Sequence, residues 1–239
     1  MNPEITLKSI AKMIDHSLLH PTMTDTEILK GCGVAKKYNV ATVCVKPYAI
    51  EMCKDFLKDS GVGICSVVTF PHGNSTTKIK IKETEDAMQL GAVEIDMVVN
   101  IGKVLGGDWN YVSDEIKQIN DAVTAENKIL KIIFENDYLN TGQIIKLCKI
   151  CSQHSVAFVK TSTGYGFVKQ SNGMYSYRGA TDENLKLMKQ KITGNVQVKA
   201  AGGVRTLDDL LRVRSIGVER IGVTATADIM ETAIERGIK

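Results

Sequence analysis

The chain has 239 residues, 44% hydrophobic and 24% charged, with a net charge of +3. That is enough chain for one large core, and the mild, evenly spread charge, with no basic block or interleaved aromatics, argues against nucleic-acid and membrane-surface binding. No apolar run approaches the roughly 20 residues of a membrane helix, and Met1 to Lys12 lack the apolar region of a secretory signal, so a cytoplasmic protein whose six cysteines are free thiols is expected.

Ile5 to Met13 reads as a short helix. Ile14 to Leu19 follows as a strand stopped by Pro21. Thr24 caps a helix through Tyr38, with Glu27 at the capping-box position. Ala41 to Val45 is a β-branched strand ended by Pro47, and a helix from about Ala49 to Lys58 leads to Gly61. Gly63 to Phe70 is the next strand. Thr76 to Leu90 is expected to be helical: Lys78-Ile79-Lys80-Ile81-Lys82 alternates like a strand, but the charged run after it and Gly91 as a C-cap favour helix. Glu94 to Asn100 is a strand, followed by a glycine-rich loop and a helix from about Trp109 to Glu126.

Ile129 to Glu135 is a strand and Thr141 to His154 a helix. Phe158 to Thr161 is a strand, Asp182 to Lys191 a helix, and Gln197 to Ala201 a strand. Thr206 to Asp209 opens a helix, Arg220 to Thr224 is a strand, and the last helix runs from about Ala227 to Arg236. Eight strands alternating with helices imply a parallel sheet with right-handed crossovers. In this length they fit an α/β fold of the (β/α)8 TIM-barrel class, with a short additional N-terminal helix and one domain over residues 1–239. The alternative is an open doubly wound sheet, but no glycine-rich dinucleotide turn follows the first strand.

Two strands carry a lysine where valine or leucine is expected: Phe158-Val159-Lys160-Thr161-Ser162-Thr163-Gly164 and Gln197-Val198-Lys199-Ala200-Ala201-Gly202-Gly203. An unpaired buried ammonium is costly, so such a lysine is paired, exposed or kept for chemistry. On neighbouring strands about 4.8 Å apart, inward-pointing Lys160 and Lys199 would repel by about 3 kcal/mol at an effective dielectric near 20. A lysine brought towards neutrality in this way is a nucleophile for aldehydes and ketones. Asp96 is an acid within Glu94-Ile95-Asp96-Met97-Val98-Val99-Asn100, able to hold Lys199 and relay protons, and Asp15 stands near a strand end in the same way.

These stretches, with Ile14-Asp15-His16-Ser17-Leu18-Leu19 and the continuation Val204-Arg205-Thr206, resemble the deoxyribose-phosphate aldolase family from about Ile14 to Ile229. The resemblance implies a class I aldolase that cleaves 2-deoxyribose 5-phosphate to acetaldehyde and glyceraldehyde 3-phosphate. It makes Lys160 the Schiff-base lysine, Lys199 the residue that lowers the pKa of Lys160, and Asp96 the proton relay. Asp15, Thr163 and Gly164 would contact substrate; Cys44, matching a thiol on the family's second strand, would do so too or pack as a core thiol. Phosphate would sit on Gly202 and Gly203 and on the loop after the eighth strand. There the family commonly has two serines, whereas this chain has Thr224-Ala225, keeping one hydroxyl. The resemblance also implies no metal and no cofactor, the iminium being the electron sink, and a homo-oligomer, either dimer or tetramer. The chain lacks the terminal tyrosine of many members. Two rival readings are a Schiff-base aldolase for a different phosphorylated sugar and a catalytically silent barrel that binds a ligand.

Cys148 and Cys151 fall late in a helix, where packing explains them better than redox chemistry. His16, His20, His72 and His154 lack the spacing of a zinc site. After the sixth strand the connection is long. Asn172-Gly173 is a hairpin signal, and Tyr175 and Tyr177 alternate on the returning arm. This places a hairpin on the catalytic face, as a lid or rim bringing Lys169 or Arg178 near the phosphate, or as a subunit contact.

Overall fold

A computed structural model describes residues 5–239; residues 1–4 of the amino-terminal stretch lie outside it. Its eight barrel strands are β1 (Ile14–Ser17), β2 (Thr42–Val45), β3 (Gly63–Val68), β4 (Glu94–Val98), β5 (Ile129–Ile133), β6 (Phe158–Lys160), β9 (Gln197–Ala201) and β10 (Arg220–Val223). All pair in parallel, and β1 bonds both β2 and β10, so the sheet closes in the order β1-β10-β9-β6-β5-β4-β3-β2. This closure removes the open-sheet alternative. The extra strands β7 (Val168–Lys169) and β8 (Tyr175–Ser176) form an antiparallel hairpin of their own.

The helices are α1 (Leu7–Ala11), α2 (Asp25–Tyr38), α3 (Ile50–Phe56), α4 (Thr77–Leu90), α5 (Ile101–Leu105), α6 (Trp109–Ala125), α7 (Thr141–Gln153), α8 (Asp182–Lys191), α9 (Leu207–Ser215) and α10 (Thr226–Glu235). Their starts follow the expected chemistry. Thr24 and Glu27 make a reciprocal capping box on α2, as do Asn140 with Gln143 on α7 and Thr206 with Asp209 on α9. The strand residues facing the helices, among them Ile95, Met97, Ile132, Val159 and Val198, fill the main core between barrel and helical ring.

Two local expectations change, and the hairpin expected at Asn172-Gly173 forms. The loop after β4 contains a helix, α5, because the Asn100 side chain accepts the Lys103 amide at 3.1 Å and nucleates a turn ahead of the glycines. The Lys78–Lys82 run is helical, but its apparent alternation is inverted: Ile79 is exposed, while Lys80 is buried and pairs with buried Glu115 at 3.0 Å. Lys80 also donates to the Val98 carbonyl at 2.6 Å, and Glu115 accepts the Asn100 amide at 3.1 Å. These bonds clip α4 and α6 to the carboxyl end of β4, just beyond Asp96. Finally, the hairpin turn uses one left-handed residue: Gly173 has φ +82°, with its amide bonded to the Gln170 carbonyl at 2.9 Å.

Candidate active site

Strand alternation turns Asp15, Glu94, Asp96, Lys131, Lys160, Lys199 and Arg220 into the barrel, where they form one connected network. Asp96 is its hub. One carboxylate oxygen, Oδ2, accepts from Lys160 at 2.7 Å and from Lys199 at 2.8 Å; the other, Oδ1, accepts from Lys131 at 2.9 Å. Lys199 also pairs with Asp15 at 2.5 Å. Lys131 pairs with Glu94 at 2.5 Å, and Arg220 reaches Asp15 at 2.6 Å and Glu94 at 3.0 Å. Lys160, Lys199 and Arg220 are in register across β6, β9 and β10.

The expected bare repulsion between two lysines is thus corrected: a carboxylate oxygen lies between them. Burial pushes Asp96 upward, yet Lys131, Lys160 and Lys199 hold it well below the ordinary carboxylate range. Asp15 is likewise held down, against burial, by Lys131, Lys199 and Arg220. Burial works against the Lys199 ammonium, but Asp15 and Asp96 outweigh it and raise its pKa above the ordinary value. Lys131 is raised by Asp15 and Asp96 in the same way. The network contains four cationic side chains and three carboxylates. One amine can therefore give up its proton and leave the cluster balanced.

Above the network, at the carboxyl ends of the strands, lies a cavity floored by Ser17, Lys160, Ala201 and Gly222. Gly202, Gly203, Arg205 and Thr224 form one side, and Leu19, His20, Tyr165 and Tyr177 the rim. Of the charged network, only Lys160 reaches this cavity. Thr163 and Gly164 also line it. Asp15 and Cys44, expected to contact substrate, do not. Asp15 precedes the floor residue Ser17 by two positions and so sits about 6.6 Å deeper; it is fully buried and bonds the Thr42 hydroxyl at 2.7 Å. Cys44 is level with Ser17 but packs beneath Leu19 with Cys65 and Val67. Ala225 is outside the lining and serves as the N-cap residue of α10. Lys199 and Asp96 are fully buried below the floor.

The hydroxyls after Lys160 set the loop. Thr161 and Ser162 both donate to the Ala201 carbonyl, at 2.9 and 2.6 Å, tying β6 to β9 above the two lysines. Gly202 must lack a side chain here, since a Cβ would lie 2.7 Å from the Ser162 hydroxyl, and its φ is +82°. The Thr163 amide and hydroxyl both donate to Glu135, and the Thr163 hydroxyl accepts the Tyr165 amide at 2.9 Å. Glu135 is buried in the left-handed region, with φ +58°. Burial raises its pKa to about 7, against the hydrogen bonds from Thr163. Gly166 makes room for it: a Cβ there would come within 2.5 Å of the Glu135 carboxyl carbon.

The hairpin is anchored by Asp137, whose carboxylate accepts the Arg178 amide at 2.7 Å and the Gly179 amide at 2.9 Å. Phe167 packs edge-on to Tyr177, their centroids 5.5 Å apart, and this aims Tyr177 at the cavity. Lys169 does not line the cavity, and Arg178 lines a second cleft that shares Tyr177, Gly203 and Arg205 with it. The cation on the cavity wall is Arg205, whose guanidinium has no ion pair among the described residues.

Sequence reasoning missed Lys131, Glu94, Arg220, Glu135 and Arg205. Lys131 carried the signal that singled out Lys160, a lysine amid Ile129-Leu130 and Ile132-Ile133. Two trios, Cys44–Cys65–Asp96 and Asp15–Cys65–Glu94, bring ligand atoms within 4.8 Å of one another. Their carboxylates already pair with ammonium and guanidinium groups, so a metal cation would compete with fixed positive charge. Cys148 and Cys151 are buried in α7 as free thiols. His16 bonds the Thr226 hydroxyl at 2.8 Å, and neither trio of candidate ligands among the described residues includes a histidine.

The DeoC/LacD family aldolase model matches residues 9–225. Among curated relatives, the chain is 46% identical over 224 residues to deoxyribose-phosphate aldolase from Rhodopirellula baltica, covering 94% of this chain and 89% of that one. Among solved structures, it is similar to QR15, an aldolase, with a TM-score of 0.86 and 31% identity over 95% of this chain and 97% of that one. The fold is also that of the tetrameric deoxyribose phosphate aldolase from Aeropyrum pernix, with a TM-score of 0.84 and 22% identity over 96% of this chain and 92% of that one.

Proposed function

This chain belongs to the DeoC/LacD family of aldolases, and we propose that it is the class I enzyme that reversibly cleaves 2-deoxy-D-ribose 5-phosphate to acetaldehyde and D-glyceraldehyde 3-phosphate. The observation that carries the reading is that Lys160, alone of the charged network, lines the cavity, over a cluster with one cation more than its carboxylates can match. The Lys160 amine adds to the C1 aldehyde, and the carbinolamine loses water to give an iminium. Removal of the proton from the C3 hydroxyl breaks the C2–C3 bond, and its electrons pass into the iminium to form an enamine. Protonation at C2 and hydrolysis release acetaldehyde. Asp96, 2.7 Å from the Lys160 nitrogen, takes and returns the amine proton. Lys199, held protonated by two carboxylates, keeps positive charge beside the nucleophile.

The phosphate end is supported by Gly202, Gly203, Thr224 and Arg205 on one cavity wall. Just beyond Thr224, α10 starts without a side-chain cap, leaving its first amides to an anion. We place the enzyme in the cytoplasm as a homo-oligomer. No described helix is long and apolar enough to cross a membrane.

The test is borohydride reduction with deoxyribose 5-phosphate, followed by peptide mapping. The expected adduct is on the Lys160 peptide, and Lys160→Ala should lose both adduct and acetaldehyde release. An adduct on another lysine in that variant would overturn the assignment. An adduct on Lys160 with a different sugar phosphate, and none with deoxyribose 5-phosphate, would move the substrate and keep the chemistry.

A further inference from the structure

Cys44 and Cys65 are in-register partners on β2 and β3, their sulfurs 3.7 Å apart, and both are free thiols. The Schiff-base chemistry uses neither. Cys65 is nonetheless wired into the catalytic network: its sulfur donates to Asp96 Oδ1 at 3.2 Å and accepts from Lys131 at 3.3 Å. The pair is buried, but by a thin cover. Leu19 and Tyr165 pack against the cluster that holds both thiols, and the same two side chains line the catalytic cavity. A small oxidant that enters the cavity is one side-chain layer from Cys44.

Adjacent strands about 4.8 Å apart fall inside the Cα range that a disulfide accepts, and both side chains point the same way, so bridging needs a sulfur rotation and no strand movement. We propose that Cys44 and Cys65 form a reversible disulfide that switches the aldolase off. With a hydroperoxide as oxidant, the Cys44 thiolate attacks the peroxide oxygen. The O–O bond breaks, hydroxide leaves and is protonated to water, and Cys44 becomes a sulfenic acid. The Cys65 sulfur then attacks the Cys44 sulfur and expels the second hydroxide, which takes the Cys65 proton. In total two thiols lose two electrons and two protons, and one hydrogen peroxide becomes two waters. An external dithiol reverses the bond by exchange.

The consequence lies in what Cys65 leaves behind. Closing the sulfurs to about 2.05 Å pulls Cys65 away from Asp96 and Lys131. Asp96 loses its one neutral donor, on the carboxylate that places Lys160 and Lys199. Displacement of such a group by about 1 Å costs on the order of 100-fold in rate. The other thiols lack this connection. Cys32 and Cys53 lie on α2 and α3, outside the barrel, and Cys148 and Cys151 share α7.

Purified enzyme is exposed to hydrogen peroxide, its remaining thiols are blocked by iodoacetamide, and tryptic peptides are mapped; cleavage at Lys54 and Lys58 separates Cys44 from Cys65, and because Lys46 precedes Pro47 and is not cut, fragmentation of the linked peptides tells Cys44 from Cys53, which shares its peptide. The expected result is a Cys44–Cys65 linked peptide pair lighter by two hydrogens, a loss of turnover on the order of 100-fold, and recovery of both on adding dithiothreitol. Cys44→Ala and Cys65→Ala, each compared with its own untreated sample, should resist the same exposure. A linked pair with unchanged turnover overturns the switch, as does inactivation with the two thiols still alkylated. Mapping needs no variant, so a misfolded variant leaves the test intact. Only the turnover arm rests on the aldolase reading: an enzyme that forms the link but never had aldolase activity refutes that reading, not the thiol pairing.

Discussion

Glu135 accepts two hydrogen bonds from Thr163, one from the amide at 3.2 Å and one from the hydroxyl, and so couples the end of β5 to the loop that follows Lys160. Because burial raises Glu135 to about 7, the folded state prefers the neutral acid. Its contribution to stability is fully present below the unfolded value near 4.5 and is lost as pH rises through 7, a change of about 3 kcal/mol. Glu135→Gln should remove that slope. Urea midpoints of the two proteins should diverge between pH 4.5 and 7, with the variant the more stable above it. Parallel curves would mean that Glu135 is ionised throughout.

Lys199 is fixed in its charged form by Asp15 and Asp96 and shares an oxygen of Asp96 with Lys160. Its fixed positive charge opposes a second ammonium at Lys160, an opposition the shared Asp96 oxygen reduces. Lys199→Leu is expected to lower kcat/KM near neutral pH by about tenfold or more and to move the profile to higher pH. A profile of unchanged position would remove this role from Lys199.

Lys131 touches Asp15, Glu94 and Asp96 and is fully buried. Taking Lys131 away strips Glu94 and Asp96 Oδ1 of their buried ammonium partner, at a cost of about 3–5 kcal/mol. Lys131→Met should therefore lose stability of that order in urea unfolding, although the side chain lies outside the cavity. A loss of activity without a loss of stability would point instead to a direct catalytic part.

The wall formed by Gly203 and Arg205 can be tested by charge. Gly203→Asp and Arg205→Glu should each raise KM for deoxyribose 5-phosphate by about tenfold or more and leave unphosphorylated deoxyribose nearly unaffected. Equal effects on the two sugars would place the phosphate elsewhere.

Replacing Phe167–Arg178 with a short glycine linker should spare the barrel, because the hairpin pairs only with itself and hangs from Asp137. It also removes Tyr177 from the cavity rim, so KM for the phosphorylated sugar should rise with a modest fall in kcat. Phe167, Met174 and Tyr175 are exposed on this hairpin. If kinetics hold and light scattering reports smaller particles, the hairpin is a subunit contact and not a rim.

The strand and helix alternation, the capping boxes, and the odd polar residues in apolar strands were legible in the sequence, because backbone periodicity and local hydrogen bonding are written within a few residues. Lys160, Lys199 and Asp96 stood out on that ground; Lys131 stood out equally and was passed over. Periodicity assigns a face, not a depth. Asp15 and Ser17 share the inner face of β1, yet only Ser17 meets the cavity, and Cys44 is level with Ser17 but covered by Leu19. Lys80 reads as one exposed member of a lysine run until Glu115, 35 positions later, gives it a buried partner. Arg220 and Glu94 look like ordinary polar strand ends until closure of the barrel brings β10 and β4 into reach across its interior. Depth, cover and long-range partners follow from how the strands stagger and close. That is a property of all eight at once, and so it was decided by the tertiary structure alone.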